Sequence, residues 1–205
     1  MFPVSYRKWT VLRSVTAMVL LDLSAAFDTV DHTLLINTLT SLGVQGKSLQ
    51  WLNSYHSSHS QSVLLNGVTS SSRSMVCGVP QGSVGGPILF SVYLTGLKDF
   101  FQRHSIHYHL YADDIQIFVS FSPNQTSATQ AICNLERCIM DIDTSLKSHS
   151  LLLNQSKCEF LLFGSKSQLN KLDIDSISIS GSNIPLSKSC RNLGVVFDSH
   201  TSMSN

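Results

Sequence analysis

Two adjacent carboxylates, Asp113 and Asp114, stand between stretches that alternate like paired strands: Ile106, Tyr108 and Leu110 before them, Ile115, Ile117 and Val119 after. This spacing predicts a β-hairpin with the acidic pair at its turn. Two-residue hairpin turns favour Asn-Gly or Asp-Gly, because their central residues often need φ > 0. Asp-Asp supplies no glycine and sets two like charges side by side, which a divalent cation would relieve. A solvated acidic turn is the alternative. A third carboxylate, Asp22, closes the apolar run Val15 to Leu21, which reads as a buried strand. If the two strands are neighbours in one sheet, Asp22, Asp113 and Asp114 converge at one edge. Such a cluster suits two divalent ions about 3.5–4 Å apart, which activate an attacking hydroxyl and neutralise a leaving pyrophosphate. Asp28 and Asp31 compete with Asp22, but they sit where a helix is capped or begins.

The elements that must position these acids can be read from periodicity. Asp31 caps a predicted helix with the face Leu34, Leu35, Thr38, Leu39 and Leu42, stopped by Gly43. A short helix carries Leu49, Trp51, Leu52 and Tyr55, and two strands are expected at 61–66 and 73–77. After the loop Gly78 to Ser83, one helix opening at Ser83 is expected to bury Leu89, Val92, Tyr93, Gly96, Leu97 and Phe100. A long amphipathic helix follows Pro123-Asn124, with Ala128, Ile132, Leu135, Ile139, Ile142 and Leu146 on one face. Strands are expected at 158–163 and 193–197, with Ile174, Ile177 and Ile179 between them.

Composition narrows the function classes. With 205 residues, 42% of them hydrophobic, the chain can build one domain or slightly more around a substantial core. Lys+Arg is 14 against Asp+Glu 13, a net charge of +1, so a strong basic stripe for a phosphate backbone is absent. The five cysteines form no Cys-x-x-Cys pair and the histidines fall at no zinc-like spacing, which points to a reducing compartment rather than a disulfide framework. The N-terminal Arg7, Lys8 and Arg13 before an apolar run imitate a signal peptide, but Ser14, Thr16 and Asp22 suit a strand better. No stretch approaches the roughly 20 apolar residues of a membrane helix.

Five motifs in order carry a resemblance. The stretch from Val19 to His32 (VLLDLSAAFDTVDH), that from Gly78 to Phe90 (GVPQGSVGGPILF) and Tyr111 to Asp114 (YADD) come first. Leu153 to Gly164 (LNQSKCEFLLFG) and Asn192 to Asp198 (NLGVVFD) follow. Together they resemble the reverse transcriptase domain of non-long-terminal-repeat retrotransposons, the long interspersed elements. The resemblance implies an α+β fold, a polymerase palm with an antiparallel sheet packed against helices. It implies a palm with residual fingers elements over 15–190, a non-family or truncated fingers remnant at 1–14, and a primer-supporting strand with the start of a thumb at 191–205. Most of the fingers and thumb are expected to be missing.

By position in those motifs, Asp22, Asp113 and Asp114 are implied as catalytic carboxylates, with Lys157 acting on the leaving pyrophosphate. Asp22, the Leu23 carbonyl, Asp113 and Asp114 would hold two Mg²⁺ ions, with Mn²⁺ as a substitute. Phe27 would lie under the incoming sugar and select deoxynucleotides. Gln81, Gly82 and Tyr111 would meet the nucleotide, and Leu193 and Gly194 the primer. The implied partners are an RNA template, a DNA primer and deoxynucleoside triphosphates, in the nucleus or cytoplasm and away from membranes. One departure stands out: Gly85 occupies a place where the family carries an apolar residue, and glycine inside a helix costs roughly 1 kcal/mol. A catalytically silent fragment of a mobile element is the alternative to an RNA-directed DNA polymerase. A two-metal nuclease is a third possibility, disfavoured by Phe27 and the Gln81 loop.

Overall fold

The computed structural model of the chain describes residues 14–57, 59–80, 82–192 and 195–198. In chain order the elements are β1 (Val15–Leu21), β2 (Leu23–Ser24), α1 (His32–Ser41) and α2 (Gly46–Ser57). Next come the short strands β3 (Ser60–Gln61), β4 (Leu64–Leu65), β5 (Val68–Thr69) and β6 (Arg73–Ser74). Then follow α3 (Gly86–Tyr93), α4 (Leu97–Arg103), β7 (His107–Tyr111), β8 (Asp114–Phe121) and the long α5 (Gln125–Ser148). The chain continues with β9 (Leu152–Leu153), β10 (Glu159–Phe163), the single turn α6 (Lys166–Leu169), and the hairpins β11 (Ser176–Ile179)–β12 (Ser182–Pro185) and β13 (Ser189–Asn192)–β14 (Val195–Asp198).

The central sheet runs β10-β1-β8-β7, and all of its pairings are antiparallel. The seven residues of β1 are all buried because both faces of the sheet are covered. Val15, Ala17, Val19 and Leu21 join the main core under the helices, while Met18 and Leu20 turn the other way to meet Phe118, Leu161 and Cys190. This explains why β1 reads as a continuous apolar run and not as strict alternation. Its one polar side chain, Thr16, meets Ser120 of β8 across the ladder, Oγ to Oγ at 2.8 Å.

The helix starts follow their caps. Asp31 accepts from the Leu34 N–H at 2.9 Å and opens α1, and Asn124 accepts from the Ser127 N–H at 2.9 Å and opens α5. Down α5, Ala128, Leu135, Ile139, Ile142 and Leu146 are buried against the core, as their spacing requires.

Several expectations are corrected. The helix expected from Ser83 is two helices, because the chain turns at Leu94 to Gly96 before α4 begins; Phe101 rather than Phe100 is then fully buried. Leu42 ends α1 as its C-cap and stays exposed, as does Trp51 on α2. The strands expected at 61–66 and 73–77 are fragments of a narrow, exposed ribbon. Gly85 is the N-cap of α3 and open to solvent, so the interior helix penalty does not apply to it. Gly86 is the constrained one: a Cβ there would stand 3.0 Å from Ser83 Oγ. Among the described residues no disulfide joins the cysteines, and no helix is long and apolar enough to cross a membrane.

Candidate active site

The register of the central sheet determines which acids meet. β1 pairs with β8 up to Leu21↔Ile115, so one further step sets Asp22 opposite Asp114. β1 also pairs with β10 up to Leu20↔Glu159, and the turn that precedes β10 carries Lys157 to the same sheet end. β7 and β8 close with Tyr111↔Asp114. The central residues of that hairpin are therefore Ala112 and Asp113, and Asp114 is the first residue of β8, not part of the turn centre. The φ > 0 demanded by the turn falls on Ala112, at 52°, a conformation that costs a non-glycine residue about 1–2 kcal/mol.

Electrostatics shows the same convergence. Burial pushes the Asp114 carboxyl above the usual carboxylate range, and the negative charges of Asp113 and Asp22 push it further the same way. Lys157 Nζ lies 3.7 Å from Asp22 Oδ2, beyond hydrogen-bond reach. With the lysine side chain 67% exposed, this pair compensates Asp22 only weakly. Asp22 Oδ2 itself is inaccessible to solvent and has no hydrogen-bond partner among the described residues. An orphaned carboxylate oxygen among repelling acids is costly, and a hard cation is the partner it suits. No three described His, Cys, Asp or Glu side chains are gathered as a ligand set.

The backbone under Asp22 is secured from the far side of the sheet. Leu23 is buried and pairs with Leu153 of β9, and the Asn154 N–H donates to the Asp22 carbonyl at 2.8 Å. Cys158 lies beside it; burial holds its thiol above the ordinary range, outweighing a hydrogen bond with the Asp22 backbone that pulls the other way.

Phe27 belongs to the loop after β2, and its ring packs on Phe90 of α3 with centroids 4.9 Å apart. That loop is zipped to the segment before α3. The Val79 N–H donates to the Phe27 carbonyl at 2.7 Å, the Gly78 N–H donates to the Val30 carbonyl at 2.8 Å, and Asp31 bridges to Cys77. Gly78 takes φ of 92°, and a Cβ there would stand 3.0 Å from the Asp28 carbonyl oxygen. Gly78→Ala is expected to cost at least about 1–2 kcal/mol through the φ alone; urea denaturation, with Gly43→Ala (φ 91°, open space) as the strain-only reference, measures the added clash.

Gly82 is exposed, with φ of 81°, on the same loop. Tyr111 is 67% exposed at the end of β7, opposite Asp114. Gln81, Leu193 and Gly194 lie outside the described residues. Thus Asp22, Leu23, Asp113, Asp114 and Lys157 meet at one sheet end, and Phe27 and Gly82 sit on two loops bound to one another.

The sequence reading missed Tyr93 as more than a core ring. Its hydroxyl accepts from the Asp31 N–H at 3.3 Å and donates to the His149 carbonyl at 2.8 Å, joining the start of α1 to the end of α5. Burial holds that hydroxyl above the usual tyrosine range, so it keeps its proton. Only its polar tip distinguishes it from Phe at a helix-face position, and that was the available signal.

The sequence profile of the family described as reverse transcriptase (RNA-dependent DNA polymerase) matches residues 7–197. The chain belongs to the reverse transcriptase family. A relative, the RNA-directed DNA polymerase from mobile element jockey of Drosophila funebris, is 27% identical over 187 residues, covering 87% of this chain. This reverse transcriptase chain spans only 19% of that relative's length. Among solved structures it resembles apo telomerase from Candida tropicalis, with a TM-score of 0.58 over 91% of this chain and 32% of that one at 11% identity. Telomerase from Candida albicans, in complex with a fragment of telomeric RNA, matches with a TM-score of 0.55 over 83% of this chain and 30% of that one at 12% identity. At such identities the likeness concerns the fold, an antiparallel palm-like sheet packed against helices.

Proposed function

We propose that this reverse transcriptase chain carries the nucleotidyl-transfer site of an RNA-directed DNA polymerase, with residues 15–190 as its palm. The supporting observation is that Asp22 and the distant pair Asp113 and Asp114 share one sheet end, with an orphaned Asp22 oxygen and an Asp114 carboxyl raised by burial and then by its neighbours' charge. Two Mg²⁺ ions, or Mn²⁺, held by these three carboxylates and the Leu23 carbonyl would lower the pKa of a primer 3′-hydroxyl and offset charge on the leaving pyrophosphate.

The chain's own groups do the rest. Lys157, long and exposed at the same sheet end, neutralises or protonates the departing pyrophosphate. Phe27, held against Phe90 and bound through its carbonyl to Val79, presents a ring that a ribose 2′-hydroxyl would strike. Gly82 allows backbone approach to the incoming nucleotide. Gln81 and Tyr111 complete the nucleotide site in this proposal, and Leu193 and Gly194 support the primer. An RNA template, a DNA primer and deoxynucleoside triphosphates are the partners.

Primer extension on an RNA template with Mg²⁺ tests this directly. Deoxynucleotides are expected to be incorporated and ribonucleotides rejected. Phe27→Val should raise ribonucleotide incorporation by about 10- to 100-fold relative to deoxynucleotide, the range expected when steric exclusion in a pocket is relaxed. Unchanged sugar selectivity would remove Phe27 from the site, and metal-dependent cleavage without incorporation would favour the nuclease reading. A second reading is favoured by the net charge of +1: this chain alone keeps the carboxylates but does not grip a duplex, since phosphate contacts dominate such affinity. Processive products from the purified chain would reject it.

A further inference from the structure

His32 closes the first carboxylate motif, at the start of α1, and has no part in the chemistry proposed above. Its Nε2 lies 2.7 Å from the Gly78 carbonyl oxygen. A carbonyl only accepts, so Nε2 carries the hydrogen and His32 donates, whether the ring is neutral or charged. The Gly78 peptide is thereby held at both ends, since its own N–H donates to Val30 at 2.8 Å and the next N–H, of Val79, donates to Phe27 at 2.7 Å.

The ring that makes this contact is itself supported. The His56 ring of α2 lies 4.8 Å from it, tilted by 40°. His56 is 2% exposed and its Nε2 has no hydrogen-bond partner among the described residues. Burial, then the charges of His32 and His59, hold its pKa down to about 4, so at neutral pH it is uncharged and does not repel His32. An uncharged ring with no polar bond of its own to protect serves as packing. It limits where His32 can swing.

We propose that His32 is a positioning residue: by donating to the Gly78 carbonyl it latches the Gly78–Pro80 segment to the segment that carries Phe27, and so sets the spacing between the nucleotide-facing backbone and the sugar-facing ring. The kinetic consequence rests on the polymerase reading; the latch itself does not.

Amide hydrogen exchange on the 205-residue chain reads the latch without catalysis, and primer extension reads its consequence. His32→Phe keeps a ring against His56 and removes the donor, while His32→Gln restores an amide donor at similar reach. In His32→Phe the Gly78 and Val79 amides should exchange about 5- to 10-fold faster, as the loss of one net hydrogen bond implies, with β1 and α5 unchanged. The apparent KM for deoxynucleotide should rise by a similar factor with kcat within about twofold, and His32→Gln should recover most of both effects. Unmoved Gly78 and Val79 exchange in His32→Phe overturns the latch. So does acceleration of all amides together, or His32→Gln behaving like His32→Phe. A faster loop with an unchanged KM overturns the positioning role. If the wild type never extends a primer while the exchange pattern holds, the polymerase reading fails and the latch stands. If the wild type extends and the exchange does not move, the reverse is true.

Discussion

Asp113→Asn is expected to abolish primer extension, with a loss of at least about 10³-fold, while leaving the fold intact or slightly more stable. The first part follows from the proposed site: removing one of three carboxylates from the proposed two-cation cluster would remove charge where the transition state needs it most. The second part follows from the repulsion already present. Asp114 is held above its usual range by burial and by the charges of Asp113 and Asp22. A carboxyl with a raised folded pKa contributes stability that is complete at low pH and is lost as the pH rises through that pKa. At neutral pH the sheet end is therefore under electrostatic stress, and an amide at 113 relieves part of it. A thermal melt beside the activity assay separates the two effects. Loss of activity with a lowered melting temperature would mean that Asp113 is a structural residue. Activity retained would remove it from the chemistry.

Acidification from pH 7 to pH 5 is expected to cost about 2 kcal/mol of folding stability through His56 alone. The folded chain holds this ring near pKa 4, against an ordinary value of 6.5, because it is buried and faces His32 and His59. Between those values the unfolded chain binds a proton that the folded chain refuses. Stability is thus complete above about 6.5, falls with falling pH, and levels off below about 4. Asp114, raised by burial and by the charges of Asp113 and Asp22, acts in the opposite sense. Urea midpoints at the two pH values measure the slope, and His56→Phe should flatten it. An equal slope in that variant would assign the effect to other groups.

Much of the architecture was legible because local signals and burial agree. Val15 to Leu21 reads as a covered strand and is one. Asp31 and Asn124 read as caps and both accept the expected N–H. Motif order names Asp22, Asp113 and Asp114 as candidates, but it leaves their meeting conditional on the two strands being neighbours. It depends on strand register across 92 residues of intervening chain, which propensity does not encode; only the pairing β1–β8 supplies it. The hairpin turn was placed one residue late, because the sequence contains no glycine to mark where φ turns positive, and Ala112 carries that conformation instead. The break between α3 and α4 was missed since Tyr93, Leu97 and Phe101 continue a helical spacing across it. The His32–Gly78 bond was invisible, being a contact between distant loops.

The sheet gives its two principal acids unequal freedom. Asp22 extends a strand that is hydrogen-bonded along both edges and covered on both faces. Its own carbonyl is held in turn by the Asn154 N–H at 2.8 Å, which ties its backbone to the sheet. Asp113 rides on a two-residue bend whose preceding alanine is held in an uncomfortable twist. In the proposed clamp one jaw is bolted to the frame and the other is sprung, so closure on an ion would be work done almost entirely from the bend's side.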